Sequence, residues 1–164
     1  MHLAQLMYLM LPVYLANMAP PFVRFWRGWN PPISVKLLGS HKTVVGFAVG
    51  VAVGVAVTFL QSRLQWEGSL LPPEDWLGAG FAAGFGAMGG DSLKSFFKRR
   101  LQIAPGKRWI PFDQLDFIAG GLIALGFFVR LDWTDIALVC GISFIGDVLV
   151  NHVSFYLGIR ETKW

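Results

Sequence analysis

Asp91, Lys94, Ser95 and Lys98 stand at i, i+3, i+4 and i+7 in the run Gly89-Gly90-Asp91-Ser92-Leu93-Lys94-Ser95-Phe96-Phe97-Lys98-Arg99-Arg100. On an α-helix that spacing puts all four on one face. A carboxylate for a cation, a hydroxyl and two ammonium groups then share one space, which suits a polyphosphate and its divalent metal. Leu93, Phe97 and Leu101 are left to face lipid or neighbouring helices, and Arg100 falls opposite Asp91. Lys98, Arg99 and Arg100 taken alone would also serve as a positive flank that anchors a helix end.

A second constellation is Asp113-Gln114-Leu115-Asp116-Phe117, with two carboxylates at i and i+3. Like charges this close repel unless a cation lies between them, and Mg²⁺ takes one or two protein carboxylates together with substrate phosphates. Acids in the first turn of a helix, stabilised by its dipole, are the bland alternative. Three further patches carry polar groups: Asn17 before Pro20-Pro21, the stretch Leu38-Gly39-Ser40-His41-Lys42-Thr43, and the stripe Ser143, Asp147, Asn151 and Ser154. The second of these lacks the glycine spacing of a P-loop.

These groups must be positioned by elements suited to a bilayer. The chain has 164 residues, 54% of them hydrophobic and 15% charged, and a mean hydropathy of +0.53, too apolar for an ordinary soluble domain. Apolar segments run over 3–19, 44–61, 76–90, 115–129 and 136–157. A helical span needs roughly 20 apolar residues, so the third and fourth should extend through their flanks, Leu70 to Asp75 before the third and Asp113 onward in the fourth. The expected fold is all-α, a polytopic membrane helical bundle of about five transmembrane helices that occupies 1–164 as a single integral membrane domain. Pro12 should bend the first helix, which reads as a retained span rather than a cleaved signal.

Orientation follows from the basic residues, which cytoplasmic loops retain. Arg24, Arg27, Lys36 and Lys42, then Lys94, Lys98, Arg99, Arg100, Lys107 and Arg108, then Arg160 and Lys163 occupy alternate connections, whereas only Arg63 and Arg130 fall on the other side. The N-terminus is therefore expected outside and the C-terminus in the cytoplasm, with the candidate site facing the cytoplasm. An aspartate at mid-membrane costs roughly 2.5–3.5 kcal/mol, so Asp91, Asp113, Asp116 and Asp147 each ask for a partner.

Other signals are weaker. Gly46, Gly50 and Gly54, four apart, and the glycine-dense 78–90 stretch mark close helix contacts, within the bundle or in a homodimer. Residues 84–89 fit G-x-G-x-x-G, but inside an apolar helix with no preceding strand, so no dinucleotide site is expected. Cys140 has no cysteine partner, and His2, His41 and His152 stand at no zinc spacing.

The ordered set Asn17…Pro20-Pro21, Gly39…Lys42-Thr43…Gly46, Gly90-Asp91…Lys94-Ser95-Phe96…Lys98-Arg99-Arg100, Asp113-Gln114…Asp116-Phe117 and Asn151…Tyr156…Gly158 resembles the archaeal CDP-archaeol synthases over nearly the whole chain. Those enzymes are similar to the CDP-diacylglycerol synthases, whose His-Gly-Gly stretch is absent here. The resemblance implies a membrane nucleotidyltransferase of phospholipid biosynthesis. Such an enzyme moves CMP from CTP to 2,3-bis-O-geranylgeranylglycerol 1-phosphate, giving CDP-archaeol and pyrophosphate.

The resemblance assigns Asp91, Asp113 and Asp116 to Mg²⁺, with room for a second cation, and makes these three and Lys98 the catalytic set. Asn17, Lys42, Thr43, Lys94, Ser95, Lys98, Arg99, Arg100 and Asn151 become the nucleotide and phosphate binders. The partners are then CTP, an isoprenoid ether-lipid phosphate and membrane lipid, and not nucleic acid. An intramembrane ion or proton-coupled transporter using the embedded aspartates is the alternative. It would need access from both faces, and the outer connections show no evident second gate. A CDP-alcohol phosphotransferase is disfavoured because its D-G-x-x-A-R opening is absent.

Overall fold

Prolines and small polar residues divide the apolar runs into helices. The computed structural model describes residues 3–104 and 107–156, apart from the side chains of Arg24, Asn151 and Ser154. The first helix, α1 (Leu3–Met18), holds Pro12 buried in its interior and gives way to a 3₁₀ turn, Pro20–Phe25. A single turn, α2 (Val35–Leu38), starts at Ser34, whose hydroxyl accepts the Leu37 N–H at 3.3 Å. It stops at Gly39, whose φ of +89° strains any residue with a Cβ. Thr43 then opens α3 (Val44–Leu64), its Oγ1 accepting the Gly46 N–H at 3.2 Å.

The remaining helices are α4 (Trp76–Arg100), α5 (Phe112–Leu125) and α6 (Trp133–Tyr156). No strand forms among the described residues; the one extended pairing is an isolated bridge between Pro32 and Thr43.

Helices α1, α3 and α6 correspond closely to the first, second and fifth apolar segments. The third does not lengthen as its sequence suggests. Pro72 and Pro73 stop it from running back through Leu70 to Asp75, where Pro73–Asp75 forms a 3₁₀ turn. It grows at its other end instead, through Asp91 to Arg100. The fourth does begin before its apolar run, at Phe112.

Helix α4 is the centre of the bundle, packed on α3 along one side and α5 along another, with α1 across all three and α6 leaning on α5. Its neighbours touch it through backbone. A Cβ added at Gly84 would lie 2.6 Å from Val51 Cα, and one at Gly54 would lie 2.8 Å from the Gly80 carbonyl oxygen. On the α5 side, a Cβ at Gly120 would meet the Gly86 carbonyl oxygen at 2.1 Å. Hydrocarbon tails offer little drive for helix association, and such close approach supplies the van der Waals contact that replaces it. Gly50 and Gly54 therefore belong to the internal bundle, Gly50 lying against Met88 and the Ala16 carbonyl.

The buried core comprises Leu6, Met10 and Val13 of α1, Ala79, Ala83 and Ala87 of α4, Ile118 and Leu125 of α5, and Val139 of α6. Leu77, Phe81, Phe85, Leu93 and Phe97 of α4 point outward and are exposed. The outward placement of Leu93, Phe97 and Leu101 matches the helical spacing read from the sequence.

Among the described residues three stretches are long and apolar enough to cross a bilayer by length and composition: Leu3–Val23, Val44–Leu64 and Trp133–Val150. The 25 residues of α4 reach about 37 Å, but its glycine-rich apolar part and charged last third leave it less hydropathic than these three. The 14 residues of α5 reach only about 21 Å, against a hydrocarbon core of about 30 Å.

Candidate functional site

The inner face of the last third of α4 carries Asp91, Lys94 and Lys98, and the first turns of α5 bring Asp113 and Asp116 against it. The α4–α5 contact is what allows this approach. A Cβ at Gly90 would lie 2.2 Å from the Asp116 carbonyl oxygen, so the two backbones touch beside the carboxylates. Lys42 enters from the segment before α3, which is held in place by backbone hydrogen bonds. Ile33 N–H donates to the Lys42 carbonyl at 2.8 Å, and Val44 N–H donates to the Pro31 carbonyl at 3.1 Å. The Asn30 side-chain oxygen accepts the Val45 N–H at 3.2 Å.

The result is a continuous chain of alternating charge. Lys42 pairs with Asp91. Lys94 Nζ lies 3.2 Å from Asp91 Oδ1, 2.8 Å from Asp116 Oδ2 and 3.6 Å from Asp113 Oδ1. Lys98 Nζ donates to both oxygens of Asp113, at 2.9 and 3.1 Å, and to the Lys107 carbonyl at 2.6 Å. Asp113 also accepts the Trp109 N–H at 2.6 Å.

Three ammonium groups offset three carboxylates, so the cluster is formally neutral. That balance is what permits charge at the edge of an apolar bundle, because an unpaired buried ion costs several kcal/mol. The Asp116 side chain is only 5% exposed, and its Oδ1 has no hydrogen-bond partner among the described residues.

Three carboxylates gathered within 3.6 Å of one ammonium centre form an oxygen-only donor set, the chemistry a hard cation such as Mg²⁺ prefers. The unmet Oδ1 of Asp116 adds a free donor. As placed, Lys94 occupies the centre, and no group of three acidic, histidine or cysteine side chains among the described residues encloses a metal site. The donor types fit the cation, with Lys94 standing where its charge would be.

Other residues singled out from sequence separate into groups. Thr43 lines a cavity of about 70 Å³ beside the Lys42–Asp91 pair, together with Pro20, His41 and Ser92. Ser95 is buried within the cluster's face, its hydroxyl donating to the Asp91 carbonyl at 2.9 Å. Asn17 is half-buried in the last turn of α1, close in sequence to Pro20. Arg99 and Arg100 turn away to a different cavity with Lys36, Leu37 and Phe96. The Asn151 side chain and Gly158 lie outside the described residues. Ser143, from the same stripe as Asn151, shares a 2.7 Å hydrogen bond with the Tyr14 hydroxyl and joins α6 to α1.

Sequence reasoning missed the Lys107 carbonyl and the Trp109 N–H, backbone groups without a residue-type signal. It also missed Asn30, although Asn30-Pro31-Pro32 is a recognisable turn signature.

The CarS-like family model, described as CDP-archaeol synthase, matches residues 2–164. A CDP-archaeol synthase of Thermofilum pendens is 34% identical over 175 aligned residues, covering 99% of this chain and 82% of the relative. One from Saccharolobus islandicus is 31% identical, covering 94% and 92%. A solved structure described as "Structural insight into an intramembrane enzyme for archaeal membrane lipids biosynthesis" superposes with a TM-score of 0.75 at 25% identity, over 92% of this chain and 94% of that one. The full-length match and the shared fold agree: this chain belongs to the CDP-archaeol synthase family.

Proposed function

We propose that this chain is a membrane-embedded cytidylyltransferase that moves CMP from CTP to 2,3-bis-O-geranylgeranylglycerol 1-phosphate, forming CDP-archaeol and releasing pyrophosphate. Three lysines and three aspartates gathered at one end of the bundle, in a chain of this family, carry the reading. In the transfer an ionised oxygen of the lipid phosphate attacks the α-phosphorus of CTP. The bond from that phosphorus to the β-phosphate bridging oxygen breaks, and pyrophosphate departs with the electron pair. No protein nucleophile is needed, so the work of the protein is positioning and charge neutralisation.

Lys42, Lys94 and Lys98 bind phosphate oxygens, and Asn17, Thr43 and Ser95 complete the nucleotide pocket, with Asn151 on α6 as a further contributor. A formally neutral cluster attracts a polyanion poorly, so the nucleotide is expected to arrive with a cation. Asp91, Asp113 and Asp116 would hold Mg²⁺, which when bound supplies positive charge to the phosphates. Helices α1, α3, α4, α5 and α6 make up the five membrane-embedded helices, the short α5 lying against α4. The basic connections retain the site on the cytoplasmic side, with the N-terminus outside. The isoprenoid chains lie in a groove between helices, open to lipid.

Purified protein in detergent, given CTP, Mg²⁺ and the geranylgeranyl ether-lipid phosphate, is expected to release pyrophosphate only when nucleotide and lipid are both present. ATP in place of CTP serves as the control. Absence of release from folded protein, across several lipid phosphates, rejects the enzyme reading in favour of transport. For the cation, the double substitution Asp113→Ala with Asp116→Ala is expected to lower Mg²⁺-dependent turnover by about 10³-fold. Unchanged turnover and unchanged Mg²⁺ dependence would remove these two carboxylates from the metal assignment.

A further inference from the structure

A second cavity, sharing no residue with the ion-pair cluster, lies where α2 packs on the last turns of α4. Lys36, Leu37, Phe96, Arg99 and Arg100 line about 290 Å³ there. At 100° per residue, Arg99, Phe96 and Arg100 stand roughly 80°, 140° and 180° around α4 from Asp91, so helix rotation turns all three off the cluster's face. Their charge balance differs as well. The cluster is neutral, whereas every charged side chain lining this cavity is a cation. The Arg99 Nε is buried and has no hydrogen-bond partner among the described residues, and the Arg100 guanidinium lies 5.6 Å from the centre of the Phe96 ring. Three cations and an unmet guanidinium donor around one space call for an anion.

The surroundings indicate which anion reaches it. The segment between α1 and α3 exposes Phe22, Phe25, Trp26, Trp29 and Val35, each at least 60% accessible, and also bears Arg27 and Lys36. Exposed aromatic residues mixed with basic ones, at the end of apolar helices, mark the headgroup layer of a bilayer. At that depth the abundant anions are lipid phosphates, and the cavity offers apolar Leu37 and Phe96 beside its charges. We propose that this cavity binds the phosphate headgroup of an anionic membrane lipid, held apart from the reacting nucleotide. The site gives the membrane-facing side of α4 a lipid contact that does not depend on turnover.

The test uses the full chain in nanodiscs of a neutral lipid, with and without an anionic lipid bearing a phosphodiester headgroup, which is not the phosphomonoester acceptor of the proposed reaction. Bound anionic lipid is counted by native mass spectrometry. Retained lipid is expected to fall at least about tenfold in the triple variant Lys36→Gln, Arg99→Gln, Arg100→Gln, since each cation near a membrane surface contributes about fivefold. It is expected to return in Lys36→Arg, Arg99→Lys, Arg100→Lys, which keeps the charges and controls for folding. Equal retention in the triple glutamine variant overturns the proposal. Displacement of the lipid by inorganic phosphate identifies a soluble-anion site and overturns the lipid assignment. Displacement by CTP with Mg²⁺ merges this cavity with the nucleotide site and overturns their separation.

Discussion

Asp91→Asn is expected to lower turnover by about 10²–10³-fold, the scale seen when a charge that orients phosphoryl-transfer groups is neutralised. Asp91 accepts Lys42 from the segment before α3 and Lys94 from its own helix, and so couples two parts of the bundle far apart in sequence. An amide of the same shape leaves two ammonium groups facing each other without the anion between them. Breaking a fully buried pair costs about 3–5 kcal/mol, and the partial exposure of these side chains reduces that to about 1–3 kcal/mol. The thermal midpoint should therefore drop moderately while kcat collapses. Steady-state kinetics on protein that still melts cooperatively separates the two effects. Activity within threefold of the parent would show that the Lys42–Asp91–Lys94 bridge is dispensable.

Gly90→Ala is expected to be nearly as damaging through geometry alone. The new methyl would sit 2.2 Å from the Asp116 carbonyl oxygen and 3.3 Å from Gly120 Cα, both backbone atoms that no rotamer change can move. Helix α5 must back away from α4, at a cost of about 1–3 kcal/mol for overpacking. Asp113 and Asp116 go with it, and a displacement of about 1 Å at a reacting site costs on the order of 10²-fold in rate. The neighbouring substitution provides the contrast. A Cβ at Gly89 meets nothing within 4 Å, so Gly89→Ala should leave turnover unchanged and raise stability by up to about 1 kcal/mol through helix propensity. Paired melting curves and turnover for the two variants test the difference; equal behaviour would deny the backbone contact its role.

Much of the site was visible in sequence because it is local. Asp91, Lys94 and Lys98 share a face by helical spacing, and Asp113 and Asp116 do likewise. What spacing does not carry is the partner across the bundle. Lys42 meets Asp91 only because Gly39 turns the chain, and Asn30, Pro31 and Ile33 hold the following segment by backbone hydrogen bonds. Arg99 and Arg100 read as part of one basic run, yet helix rotation sends them to a separate cavity. Composition found the apolar runs of α1, α3 and α6 directly. Hydropathy extended α4 wrongly through Leu70 to Asp75, whereas the helical spacing of Asp91, Lys94 and Lys98 pointed to the charged end that α5 and α2 shelter.

The glycine contacts along both sides of α4 also bear on how the protein responds to the lipid around it. Where helices meet through interlocked side chains, they can slide as rotamers rearrange. Here the α3–α4 and α4–α5 contacts bring backbone against backbone at Gly54, Gly80, Gly84, Gly86, Gly90 and Gly120, which leaves little side chain at those points to yield. A bilayer that thickens or thins exerts a mismatch force of a fraction of a kcal/mol per Å, which single helices relieve by tilting. These three helices can tilt only together, as one slab. Lys42 at the entry to α3, Asp91 on α4 and Asp116 on α5 then keep their mutual distances while the slab leans, so hydrophobic thickness changes the attitude of the site in the membrane and leaves its internal geometry intact.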